Sequence, residues 1–164
     1  MDFSIKTFDT KTTLANIKAG CIAVGVFEGK QLSSAAKTLD TSGALSAAVK
    51  SGDITGKAGS TLLLRNVTGI QTERVLLVGL GKANPLSQKD FASALRAVAS
   101  VFAAIGASDA VIALPLDDVK DSSTAWAINY AVIAIETNAY RFDEMKSKKE
   151  PQPECVKKVI FEVR

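Results

Sequence analysis

The chain has 164 residues, a formal net charge of +3, 47% hydrophobic residues and 23% charged ones. That is the profile of one soluble domain that buries its own core without staples, and a charge this small points to no acidic or nucleic-acid partner unless the basic residues cluster. There is no histidine, which excludes the Ser-His-Asp triad, the Cys-His pair and every imidazole metal site.

Aromatic residues make up only 6%, so Ala, Val, Leu and Ile must fill the core. The two cysteines, Cys21 and Cys155, are far apart, as in a reducing compartment, and Cys21 reads as a small core hydrophobe. Met1-Asp2-Phe3-Ser4 has neither the basic nor the apolar region of a signal peptide. The most apolar stretch, Ala125 to Ile135, is too short and too polar to span a bilayer. A cytoplasmic protein is expected, with no membrane partner.

Along the chain, Phe3, Ile5 and, with a slip, Phe8 alternate with polar residues as in a half-exposed strand. The unbroken apolar run Cys21 to Phe27 suits a strand buried on both faces. Leu32 to Ser51 reads as helical, broken near Gly43. Ser51 to Gly59 is rich in turn formers and reads as a loop. Thr61–Leu64 and Arg74–Leu80 are the next strands, with Asn66–Thr72 as a hairpin connection. Ser87–Ile105 is the clearest helix: Phe91, Ala94, Leu95, Val98, Phe102 and Ile105 form one stripe, Ser87 is an N-cap and Gly106 a natural stop. Ala110–Leu114 is a short buried strand that completes a βαβ unit with the strand Arg74–Leu80.

Ser122–Phe142 is a second long helix, apolar nearly all round. Trp126, Tyr130, Ile133 and Tyr140 mark one face, and Ile128, Val132, Ile135 and Phe142 another; Asn129 and Glu136 leave a narrow polar stripe. Such a helix is buried on two sides, one against the sheet and one against a further partner. A charged loop follows from Asp143 to Glu154, and Val156 to Val163 forms a last strand. The whole reads as a single domain over residues 1–164: a three-layer α/β/α sandwich with a mixed, mostly parallel sheet.

Three motifs invite chemistry. Gly79-Leu80-Gly81-Lys82 follows a buried strand and precedes a helix, but a phosphate loop needs glycine where Leu76 stands and Ser or Thr where Ala83 stands. The dinucleotide fingerprint fails as well, at Asn84. A tight turn is the better reading. Asp117, Asp118 and Asp121 resemble a hard-metal site, yet nothing completes a shell, and a loop with helix caps accounts for them. Lys146, Lys148, Lys149, Lys157 and Lys158 are interleaved with Asp143, Glu144, Glu150 and Glu154 and read as a solvated surface. Trp126, Tyr130 and Tyr140 read as core or interface anchors rather than a ligand cage, and Cys155 as a plain surface thiol.

Two segments carry a family resemblance. Arg74-Val75-Leu76-Leu77-Val78-Gly79-Leu80-Gly81-Lys82 resembles a strand of the N-terminal domain of the leucyl (cytosol) aminopeptidases, a metallopeptidase family. Tyr140-Arg141-Phe142-Asp143-Glu144-Met145-Lys146-Ser147-Lys148-Lys149 is similar to the end of the long helix in the same domain, with Met145 in place of an aromatic residue. The resemblance covers essentially the whole chain and implies a macrodomain-like topology. It implies a parent enzyme, a homohexamer, that removes residues such as Leu from peptide N-termini with two divalent metals, Zn or Mn. The metal ligands lie in a C-terminal catalytic domain whose signature has no counterpart here. No catalytic, cofactor-binding or metal-binding residue therefore carries over, and this chain alone is expected to be inactive.

Two other classes stay open at this point. A macrodomain-like module would bind a nucleotide or ADP-ribose, and Gly52-Asp53-Ile54-Thr55 echoes a macrodomain tetrapeptide. Its ligand would sit at the carboxyl ends of the strands, near Gly81–Pro85 and Pro115–Asp118. The third class is a DNA-binding regulator.

Overall fold

In the computed structural model, residues 2–7, 14–82, 86–105, 107–144 and 156–163 are described. Among the described residues seven strands form one sheet: β1 (Asp2–Lys6), β2 (Cys21–Phe27), β3 (Gln31–Leu32), β4 (Thr61–Arg65), β5 (Arg74–Gly81), β6 (Asp109–Ala113) and β7 (Lys158–Glu162). The order across the sheet is β1-β7-β6-β2-β5-β4, with the short β3 hairpinned onto β2. All neighbours on that path are parallel except β4, which runs antiparallel to β5. The helices are α1 (Ser34–Leu39), α2 (Ala44–Lys50), α3 (Gln88–Ala104) and α4 (Thr124–Glu144).

The apolar runs become central strands because alternate side chains leave the sheet on opposite faces. Ile22, Val24, Leu77, Val111 and Ile160 meet α1 and α2 on one face. Cys21, Ala23, Leu76, Val78, Ile112 and Phe161 meet α3 and α4 on the other. Each fully buried Leu, Ile, Val or Phe contributes about 1.5–3 kcal/mol relative to exposure, so two such layers suffice for a domain poor in aromatics. The three-layer α/β/α sandwich with a mixed, mostly parallel sheet is as expected.

The Leu32–Ser51 segment differs from its reading. Leu32 belongs to β3, and α1 starts at Ser34, where Ser33 Oγ accepts from the Ala36 N–H. The break is a four-residue corner, not one glycine. There the Asp40 carboxylate accepts from the backbone N–H of Leu45 (2.9 Å) and Ser46 (3.2 Å), capping α2, while Gly43 takes φ +81°. The βαβ unit is also looser than expected. Strands β5 and β6 are parallel but not adjacent, because β2 lies between them and pairs with both. Periodicity identifies a crossover but not the strand inserted within it.

Helix α3 matches its reading, with all six stripe residues buried and Ser87 capping the Asp90 N–H. Helix α4 runs to Glu144, so the charged loop begins later than Asp143. Phe8, Gly106, the side chains of Tyr140 and Phe142, and residues 145–155 with their lysines and Cys155 lie outside the described residues.

Candidate functional site

Three places on this fold were candidates for chemistry or binding. The first is Gly79–Lys82, expected as a tight turn; Gly79 to Gly81 instead form the end of β5. Both glycines are bonded there: Gly79 N–H donates to Ser60 O (2.7 Å), Gly81 N–H donates to Gly56 O (2.9 Å), and Gly81 O accepts from Glu28 N–H (2.9 Å). The amides of Gly79 and Gly81 are therefore not free to cradle a phosphate. The glycines serve packing instead. A Cβ on Gly79 would fall well inside van der Waals contact of Lys57 O and Ser60 Oγ, and Gly81 has φ +78° against Asp90. The loop before β4 lies across the end of β5, and only glycine leaves it room.

The second is a cleft of about 200 Å³ at the carboxyl ends of β2, β6 and β7. Phe27, Leu116, Asp117, Asp118 and Glu162 line it, beside Ser33 and Ser34 at the start of α1 and Thr124 at the start of α4. It lies where ligands enter open α/β sheets, at the Pro115–Asp118 end and not at the Gly81 end. Asp121 does not line it; that residue sits in the following turn with φ +57°. Glu162, which sequence reading passed over as part of a strand, takes its place. A two-residue alternation in β7 says which face a residue takes, but not that its strand ends at a cleft. Among the described residues three carboxylates and no Lys or Arg line this space, a charge that disfavours phosphate. Among the described residues, no group of three or more Cys, Asp or Glu is placed to hold a metal ion.

The third is the outer surface of α3 and α4. The residues of α4 buried in the core are Ala127, Ala131 and Ile135, at four-residue spacing, and α4 packs along α3. Small side chains here let α4 lie close to its neighbours, so Trp126 and Tyr130 are displaced onto the flank beside α3. Trp126 stacks on Tyr130 with ring centroids 5.6 Å apart, and both rings lean on Phe91 at 6.0 and 6.5 Å. Arg96 of α3 donates to Tyr130 Oη (3.3 Å) and to Ser93 Oγ (3.2 Å), so its guanidinium is held at the hydroxyl end of the ring. Ile133 is 60% exposed beside them. A hollow of about 270 Å³ opens between Arg96, Tyr130, Ile133 and Thr137. Trp, Tyr and Arg fixed by packing, next to an exposed Ile, is the composition of an interface centre.

The description of the cytosol aminopeptidase family's N-terminal domain matches residues 23–149. The chain belongs to this family. A probable cytosol aminopeptidase of Herminiimonas arsenicoxydans is 61% identical over 163 residues, which is 99% of this chain and 32% of that protein. A probable cytosol aminopeptidase of Paraburkholderia phymatum is 39% identical over 99% of this chain and 34% of its own length. The chain thus spans about a third of the cytosol aminopeptidases it matches. Among solved structures, a tomato leucine aminopeptidase mutant superposes with a TM-score of 0.67 at 22% identity, over 99% of this chain and 32% of that one. The macrodomain of Mycobacterium tuberculosis DarG superposes with a TM-score of 0.69 at 12% identity, over 99% and 98%. These two likenesses establish the fold, including its macrodomain-like topology.

Proposed function

We propose that residues 1–164 form the single non-catalytic N-terminal domain of a cytoplasmic leucyl aminopeptidase, an assembly domain carrying no catalytic, cofactor or metal residue of its own. The family match over residues 23–149 carries this reading. The relatives are three times as long, so the parent protein has room for a C-terminal catalytic domain holding two divalent metals, and for hexamer contacts. The described residues do not fit such a metal pair, so no step of peptide hydrolysis is derived from them. Among the described residues no helix is long and apolar enough to cross a membrane.

In this reading the Trp126–Tyr130–Ile133 flank, with Arg96, is the surface that packs on the catalytic domain. The test has two arms. Purified to homogeneity and supplied with manganese, the chain hydrolyses leucine anilide no faster than buffer; sustained turnover would overturn the assignment. Calorimetry with ADP-ribose gives no heat, because the cleft at the carboxyl ends of β2, β6 and β7 carries Asp117, Asp118 and Glu162. A saturable heat would restore the nucleotide-binding reading. A gel shift at low salt serves the DNA-binding reading in the same way.

A further inference from the structure

Among the described residues strand β1 is an edge of the sheet and pairs only with β7, in parallel. In a parallel ladder, alternate residues of a strand turn both backbone groups to the same neighbour. Asp2 N–H donates to Lys157 O (2.7 Å) and Lys6 O accepts from Val163 N–H (3.0 Å). The even positions Asp2, Ser4 and Lys6 therefore bond to β7, and Phe3 and Ile5 turn their N–H and C=O groups to the open side.

A second copy brought to this edge by a two-fold axis runs antiparallel to it. One register satisfies both open residues: Phe3 opposite Ile5 of the copy, and Ile5 opposite its Phe3. Other registers of the same phase leave one of the two facing beyond the strand. The side chains select that same register independently. It sets Asp2 directly opposite Lys6 of the copy, and Lys6 opposite its Asp2, at the closer, non-hydrogen-bonded pairs. Within one strand these two charges are about 13 Å apart, too far to pair with each other, and neither has an ion-pair partner among the described residues.

The apolar face agrees as well. Phe3 and Ile5 point the same way; Phe3 is half-buried on Phe161 with ring centroids 6.1 Å apart, while Ile5 is 59% exposed. The register lays Ile5 on the copy's Phe3, an aromatic–aliphatic cross-strand pair. The opposite edge, Thr61-Leu62-Leu63-Leu64-Arg65, offers no matched charges.

We infer that β1 is a homotypic docking edge, which joins two copies of this chain into one continuous sheet through a Phe3–Ile5 antiparallel register locked by Asp2–Lys6 ion pairs. The inference stands on β1 alone and needs no catalytic domain, so it and the peptidase reading fail separately.

Sedimentation over a concentration series tests it. The wild-type chain is expected to show a monomer–dimer equilibrium. Lys6→Asp places carboxylates opposite each other at both ends and raises the dimer Kd about tenfold or more. The doubly reversed chain, Asp2→Lys with Lys6→Asp, restores the match and returns the Kd to near wild type. Both positions are exposed, and circular dichroism checks that each variant folds. A chain that stays monomeric at several hundred micromolar overturns the inference. So does a dimer indifferent to Lys6→Asp, or one that the double reversal does not rescue.

Discussion

Gly79 is fixed by its neighbours, Lys57 O and Ser60 Oγ. Its own φ is not in the left-handed region, so backbone freedom is not the reason for it; the space is. Gly79→Ala pushes a methyl group into Lys57 O, which belongs to backbone that also receives the Ser60 hydroxyl at 2.6 Å. Relief requires lifting the 56–60 loop and losing the Gly79–Ser60 and Gly81–Gly56 hydrogen bonds. The expected cost is about 3 kcal/mol or more, read as a lower urea midpoint with an unchanged slope. A midpoint within experimental error of wild type would mean that the loop does not lie on β5. Sequence reading placed a tight turn at Gly79–Lys82, whereas Gly79 to Gly81 are the last residues of β5. It had no means of knowing that a segment some twenty residues earlier lay across that strand end.

At the scale of the element, α4 separates what stabilises the domain from what faces outward. Ala127 and Ala131 are wholly buried, whereas Ile133 points away. Ala127→Leu should overpack the α4 contact and cost about 1–3 kcal/mol. Ile133→Ser should change the stability of this chain by no more than about 0.5 kcal/mol, yet weaken attachment in a protein that also carries the catalytic domain. Thermal melts of the two variants check the contrast, and a large loss for Ile133→Ser would place that residue in the core instead. The apolar excess of α4 was legible, and the exposure of Ile133 supports the proposed second partner. Which residues entered the core was not. Hydrophobicity scales rank Trp, Tyr and Ile above Ala, but a closely approaching neighbour selects small side chains for the shared seam.

At the scale of the whole molecule, the sheet determines how stability follows pH. Cys21 starts the central strand β2 and is fully buried. Burial pushes its thiol from 9.0 up to about 12, against smaller opposing effects of the Arg74 charge and a hydrogen bond from the Leu76 backbone. In the unfolded chain the thiol ionises near its ordinary value, so above pH 9 the unfolded state binds fewer protons than the folded one. Stability therefore falls as pH rises from 9 towards 12, at up to about 1.4 kcal/mol per pH unit from this group. Urea titrations at pH 8, 9.5 and 10.5 should show a steeper decline for the native thiol than for Cys21→Ala. Equal slopes would show that Cys21 ionises as easily folded as unfolded.

Pattern alone determined much of this protein. The runs of Val, Leu and Ile can hide only in a sheet covered on both faces, and the 3.6-residue stripe of α3 can serve only as a helix on that sheet. The absence of histidine and the two family segments pointed to a supporting role rather than a chemical one. Tertiary structure decided the rest: β2 inserted between β5 and β6, Glu162 gathered with Asp117 and Asp118, Trp126 turned outward, and Phe3 and Ile5 left with open backbone groups at an edge. Those facts depend on which distant segments become neighbours. Local periodicity says which face of an element is apolar, but the contact across that face is made by residues far away in the chain.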